Sequence, residues 1–87
     1  MIKLPKEVHR VIKTLEGEGW DTYAVGGCVR DSLLGLAPTD WDLATRAEME
    51  EILRLLPEAG ILSEKYHVVR IPLDGGNIDI VTFRKEG

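Results

Sequence analysis

Val25-Gly26-Gly27-Cys28-Val29-Arg30-Asp31-Ser32-Leu33-Leu34-Gly35, followed after a short loop by Asp40-Trp41-Asp42-Leu43-Ala44-Thr45, is the stretch on which the fold turns. The short β-favouring run Thr22 to Val25 stops at two glycines and reads as a buried strand. Cys28 to Leu34 then continues as a short helix with Gly35 as its stop, and Leu36 to Thr39, with Pro38, leads into a second strand. Alternate side chains of a strand share a face, so Asp40 and Asp42 point the same way, roughly 7 Å apart at the Cα atoms. Trp41 and Leu43 face the other side, where a core would want them.

Toward the N-terminus, Val8, Val11, Ile12 and Leu15 follow helical spacing behind Pro5, and Gly17 and Gly19 close that helix. Toward the C-terminus, Thr45 with Glu48 has the form of a capping box. Met49, Ile52, Leu53 and Leu56 give the helix that follows its apolar stripe, which reads as core, and Pro57 ends it. Ile61 and Leu62 begin a further strand. Val68 to Leu73 and Asn77 to Phe83 are β-rich runs joined by Asp74-Gly75-Gly76, a hairpin signal. In the second run Asp79, Val81 and Phe83 share one face, while Ile78, Ile80 and Thr82 share the other. Asp79 is the odd polar residue there, and an exposed sheet face is the competing explanation for it.

The expected fold is α/β: a mixed or antiparallel sheet of about three to four strands with about three helices on one face. Asp40, Asp42 and Asp79 would then look into an open groove on the other. The chain has 87 residues, enough for a single small domain over residues 1–87. A formal charge of −4 does not advertise a nucleic-acid binder, although carboxylates gathered in an active site would lower it. The lone Cys28 cannot form an internal disulfide and reads as a small buried residue. No signal-like segment follows Met1 and no apolar run approaches membrane-spanning length, so a cytoplasmic protein without membrane contact is expected.

Paired glycines between a strand and a helix let the backbone approach a ligand closely, and the helix start presents N–H groups to an anion. A plain tight turn is the competing reading of Gly26-Gly27. Arg30, one turn into the helix, would add a charge-assisted contact to a phosphate; a salt bridge with Asp31 is its alternative. Magnesium prefers oxygen ligands and often takes one or two carboxylates, with phosphates and water completing its octahedron. The order of cradle, helix, loop and two-carboxylate strand points to nucleotide chemistry more strongly than any one part.

These same residues, Val25 to Gly35 and Asp40 to Thr45, resemble the first motif of the tRNA nucleotidyltransferase family. This is the CCA-adding and bacterial poly(A) polymerase branch of the polymerase-β-like superfamily. Ile78-Asp79-Ile80-Val81-Thr82-Phe83-Arg84 is similar to its third catalytic-strand segment. The resemblance implies that Asp40 and Asp42 hold the catalytic magnesium ions and that Asp79 is the third carboxylate. It implies that Gly27, with Gly26 beside it, contacts the triphosphate and that Arg30 helps to bind the nucleotide. The implied reaction is attack by a tRNA 3′-hydroxyl on the α-phosphate of CTP or ATP, releasing pyrophosphate.

The likeness covers about residues 20 to 84 and then stops. Family members continue with an Arg-Arg-Asp segment, a Glu-Asp-containing base-selecting segment and helical domains that grip tRNA, and none follows Arg84-Lys85-Glu86-Gly87. The chain therefore reads as the first portion of the catalytic head, an engineered truncation or one half of a split protein. Tyr66-His67-Val68-Val69 departs from the Gly-Thr-Val run expected there, and His67 reads as packing or surface. Three functions remain open: a nucleotidyltransferase core, a nucleotide- and metal-binding module that no longer transfers, and an assembly piece. In the last, the terminal hairpin would leave an open sheet edge that favours homo-oligomers.

Overall fold

The computed structural model describes residues 4–36 and 38–83. Arg84, which closes the third motif, lies outside them, as does the side chain of Cys28, read above as buried. The elements run α1 (Lys6–Gly17), β1 (Thr22–Val25), α2 (Gly27–Leu33), β2 (Asp40–Thr45), α3 (Met49–Leu55), β3 (Gly60–Ser63), β4 (Val68–Leu73) and β5 (Gly76–Thr82). No helix among the described residues is long and apolar enough to cross a membrane.

The strands form one mixed sheet in the order β1-β2-β5-β4-β3. β2 and β5 run parallel, and the other three pairings are antiparallel. A parallel pair needs a crossover connection, and α3, β3 and β4 lie within it. The sheet thus has five strands, where about three to four were expected. Each of the five runs read as strands joins it, including the four-residue β1 and β3, which lie at its two edges. β1 is also less buried than expected: at the sheet edge, Tyr23 and Val25 remain exposed.

Alternation along β2 sends Trp41, Leu43 and Thr45 inward and leaves Asp40 and Asp42 outward. Ile78 and Ile80 of β5 and Val69 and Ile71 of β4 extend the inner face. Val8, Val11 and Leu15 of α1, Ile52 of α3, and Leu56 just beyond it cover that face as one cluster. Each such side chain contributes roughly 1.5–3 kcal/mol by leaving water, so this cluster is what holds β2 and β5 in place. α2 lies against β1 and β2 and brings Val29 to the margin of the core.

Thr45 does not cap α3. It is the last residue of β2 and fully buried, and Glu48 precedes α3 without a side-chain cap bond. Its hydroxyl lies 2.9 Å from that of Thr22 and 3.1 Å from the Asp21 carbonyl, and it accepts the Ala47 N–H at 3.2 Å. A hydroxyl committed to closing the β1–β2 pair has no capacity left for a helix start.

The hairpin loop is shorter than the three residues read from sequence. Asp74-Gly75 makes the turn, with Gly75 at φ +84°, and Gly76 already pairs with Leu73. The hairpin is not a sheet edge, because β5 lies between β2 and β4, and β3 covers β4. Strand-to-strand association would therefore use β1 or β3.

Candidate active site

Register places the candidate carboxylates in one row across the sheet. Val25 of β1 pairs with Asp42 of β2, Asp42 with Asp79 of β5, and Asp79 with Arg70 of β4. Paired residues on adjacent strands share a face and lie about 4.8 Å apart across the ladder. Asp40 and Asn77 form the neighbouring pair. The expectation that Asp40, Asp42 and Asp79 face away from the core is met: Trp41, Leu43, Ile78 and Ile80, which alternate with them, are all buried.

The row is electrostatically uneven. The Asp42 carboxyl titrates above its ordinary value, because partial burial disfavours its charge and the charges of Asp79 and Asp40 add to that. Asp79 is held differently. Arg70 donates from Nε to its Oδ1 at 2.7 Å and from Nη2 to its Oδ2 at 3.0 Å, and Asn77 Nδ2 donates to Oδ1 at 3.1 Å. These bonds to Asp79, with its charge and then that of Asp40, raise the Arg70 guanidinium above its usual range. Among the described residues no three carboxylate, imidazole or thiol groups are gathered as a ready metal cage. Asp40 and Asp42 offer an all-oxygen, like-charged pair, the donor type a hard cation takes when phosphate and water supply the remainder.

The glycines bound this row. Gly26 takes φ +82°, and a Cβ there would stand 3.3 Å from Asp42 Oδ2. Gly27, Asp31, Thr39, Asp40 and Asp42 line a polar groove of about 430 Å³. A larger hollow of about 590 Å³ between β1 and α2 is lined mainly by Ala24, Val25, Val29, Leu33 and Leu34, and holds no carboxylate. Arg30 is mostly in solvent and 3.7 Å from Asp31, the ion pair raised as its alternative role. Its Nη2 lies 3.8 Å from where a Cβ on Gly27 would be, so it also overhangs the glycine pair. His67 is exposed at φ +55° in the turn before β4.

Sequence reasoning missed Arg70, Asn77 and the anchoring of Thr39. The signal for Arg70 was present, since counting back from a two-residue loop at Asp74-Gly75 sets it opposite Asp79. Thr39 could not be found that way. Its carbonyl accepts the Asn77 N–H at 3.3 Å, across a parallel pairing that no local pattern announces.

Residues 22–87 match the family described as the poly A polymerase head domain. A CCA-adding enzyme of Geobacillus kaustophilus is 39% identical over 77 residues, covering 88% of this chain and 19% of that protein. Poly(A) polymerase I of Haemophilus influenzae is 35% identical over 75 residues, covering 85% of this chain and 17% of that protein. The crystal structure of the Bacillus stearothermophilus CCA-adding enzyme in complex with CTP superposes with a TM-score of 0.78 at 35% identity, over 90% of this chain and 20% of that one. The chain thus spans about a fifth of the length of these relatives. With its sheet, its glycine pair and its two-aspartate strand in the matched region, the chain belongs to the poly A polymerase head domain family.

Proposed function

We propose that this chain carries the phosphoryl-transfer centre of a nucleotidyltransferase that joins CTP or ATP to a tRNA 3′-hydroxyl and releases pyrophosphate. The observation that supports it is the carboxylate row, with Asp42 in register with Asp79, Asp40 two residues away, and Gly26 against Asp42. Kinship with CCA-adding enzymes, one of them a CTP complex, supplies the substrate class. The centre would work in the cytoplasm, where tRNA ends are processed.

In this reading Asp40 and Asp42 hold divalent metal, taken to be magnesium. When bound, such ions acidify an attacking hydroxyl and stabilise the charge on the leaving oxygen. The chain's own residues do the rest. Asp42, raised by partial burial and then by the charges of Asp79 and Asp40, sits where added positive charge relieves repulsion. The bare backbone at Gly26 and Gly27 lets a triphosphate come close to the carboxylates. Arg30, exposed above Gly27, turns from Asp31 to a phosphate oxygen. Asp79, in register with Asp42 on the adjacent strand, is the third carboxylate of the row.

The test is incorporation of α-labelled CTP or ATP into tRNA lacking its 3′ end, by the purified chain with magnesium, beside Asp42→Ala. Incorporation by the parent alone supports the reading. Its absence from folded protein would leave a nucleotide- and metal-binding module that does not transfer. The fork of Arg70 on Asp79 favours that second reading, since it occupies the third carboxylate.

A further inference from the structure

Arg70 belongs to none of the motifs quoted above, yet it makes two close polar contacts in the carboxylate row. It spans both oxygens of Asp79, at 2.7 and 3.0 Å, from the strand on the side away from Asp42. Two parallel N–H···O bonds fix the plane of a carboxylate, as a single lysine ammonium could not. Asn77 adds a third donor to Oδ1. The Asp79 side chain is 19% exposed and that of Arg70 45%, so the guanidinium lies on the open side of the pair.

We propose that Arg70 is a positioning residue that turns Asp79 toward β4 and withholds it from the divalent cation. The inference rests on the metal reading above. Asp40, Asp42 and Asp79 bring three negative charges to one face, and Arg70 cancels one of them. The cation is then met by Asp40 and Asp42, and the free site takes it weakly. Asp79 becomes available only when its bonds to Arg70 loosen.

The readout is binding of Mn²⁺ alone to the 87-residue chain, by electron paramagnetic resonance of the free ion, with thermal melts in parallel. Removing one positive charge next to a divalent site in water changes its affinity by about fivefold. Arg70→Gln is therefore expected to bind Mn²⁺ about fivefold tighter or more, and Arg70→Lys to stay nearer the parent. In an Asp79→Asn background Arg70→Gln should gain clearly less than in the parent, because only the direct loss of positive charge remains once there is no Asp79 carboxylate to release. Affinity in Arg70→Gln equal to or below that of the parent would overturn the proposal, as would a gain that is undiminished with Asp79→Asn. If neither parent nor Arg70→Gln binds Mn²⁺, the metal reading falls and the role of Arg70 with it. A parent that binds through Asp42, with no gain in Arg70→Gln, removes the role of Arg70 alone.

Discussion

Gly76 and Thr39 meet so closely that a Cβ on Gly76 would stand 1.8 Å from the Thr39 carbonyl oxygen and 2.7 Å from its carbon. The neighbouring Asn77 N–H donates to that same oxygen at 3.3 Å. Thr39 immediately precedes Asp40, so the contact sets where β2 begins and where its first carboxylate stands. Backbone cannot yield as a flexible side chain does, so any residue but glycine must push β2 and β5 apart at this end.

Gly76→Ala should accordingly destabilise the domain by more than about 2 kcal/mol, in the range of severe backbone and packing lesions. Urea denaturation checks it. Stability within about 0.5 kcal/mol of the parent, the usual effect of an innocuous surface change, would show that the contact is not constraining.

Gly26→Ala should act more locally. Its φ of +82° with ψ of −158° lies in a region essentially reserved for glycine, at a cost of about 1–3 kcal/mol for any Cβ, and the new methyl would press on Asp42 Oδ2 at 3.3 Å. The expected signature is a modest loss of stability together with weaker Mn²⁺ binding. Equal cation affinity in parent and variant would separate Gly26 from the carboxylate.

The raised Asp42 carboxyl sets a pH dependence. Its ordinary value is 3.8 and its folded value lies higher, so between the two the folded state holds more of its proton than the unfolded chain does. The charge of Asp42 therefore costs stability in full above its folded pKa, and that cost fades as pH falls toward the unfolded value. Asp42→Asn, measured without metal, should be more stable than the parent near pH 7, with the difference shrinking on acidification through that window. A pH-independent difference between the two melting curves would contradict this cause.

Magnesium should raise the melting temperature of the parent, since a ligand that binds only the folded state stabilises it by mass action, by about 2.7 kcal/mol at 100 times its Kd. The rise should be lost in Asp40→Ala/Asp42→Ala. A flat response in the parent across a wide titration would remove the metal assignment.

Trp41 anchors β2 from behind: it is 1% exposed, and its buried indole N–H has no hydrogen-bond partner among the described residues. Trp41→Ala should cost about 3–5 kcal/mol, enough to unfold much of a domain this small. Trp41→Phe should cost far less, because it also removes the buried donor that lacks a partner. Circular dichroism melts of the two variants compare them directly; similar losses would mean that ring volume at this site matters little.

Much of this protein follows from local pattern in its sequence. The strand–glycine–helix order, the period-two alternation that sets Asp40 and Asp42 against Trp41 and Leu43, and the hairpin turn are short-range consequences of backbone stereochemistry and hydrophobic spacing. Tertiary structure decided what depends on residues distant in the chain. It set β1 and β3 at the edges of a five-stranded sheet and drew Thr45 into a buried hydroxyl pair instead of a helix cap. It also laid β5 parallel to β2, so that Asp79 fell in register with Asp42. No nearest-neighbour preference encodes that pairing. It is fixed by the need to bury Trp41, Leu43, Ile78 and Ile80 under the same two helices, and the same burial leaves three carboxylates on the opposite face.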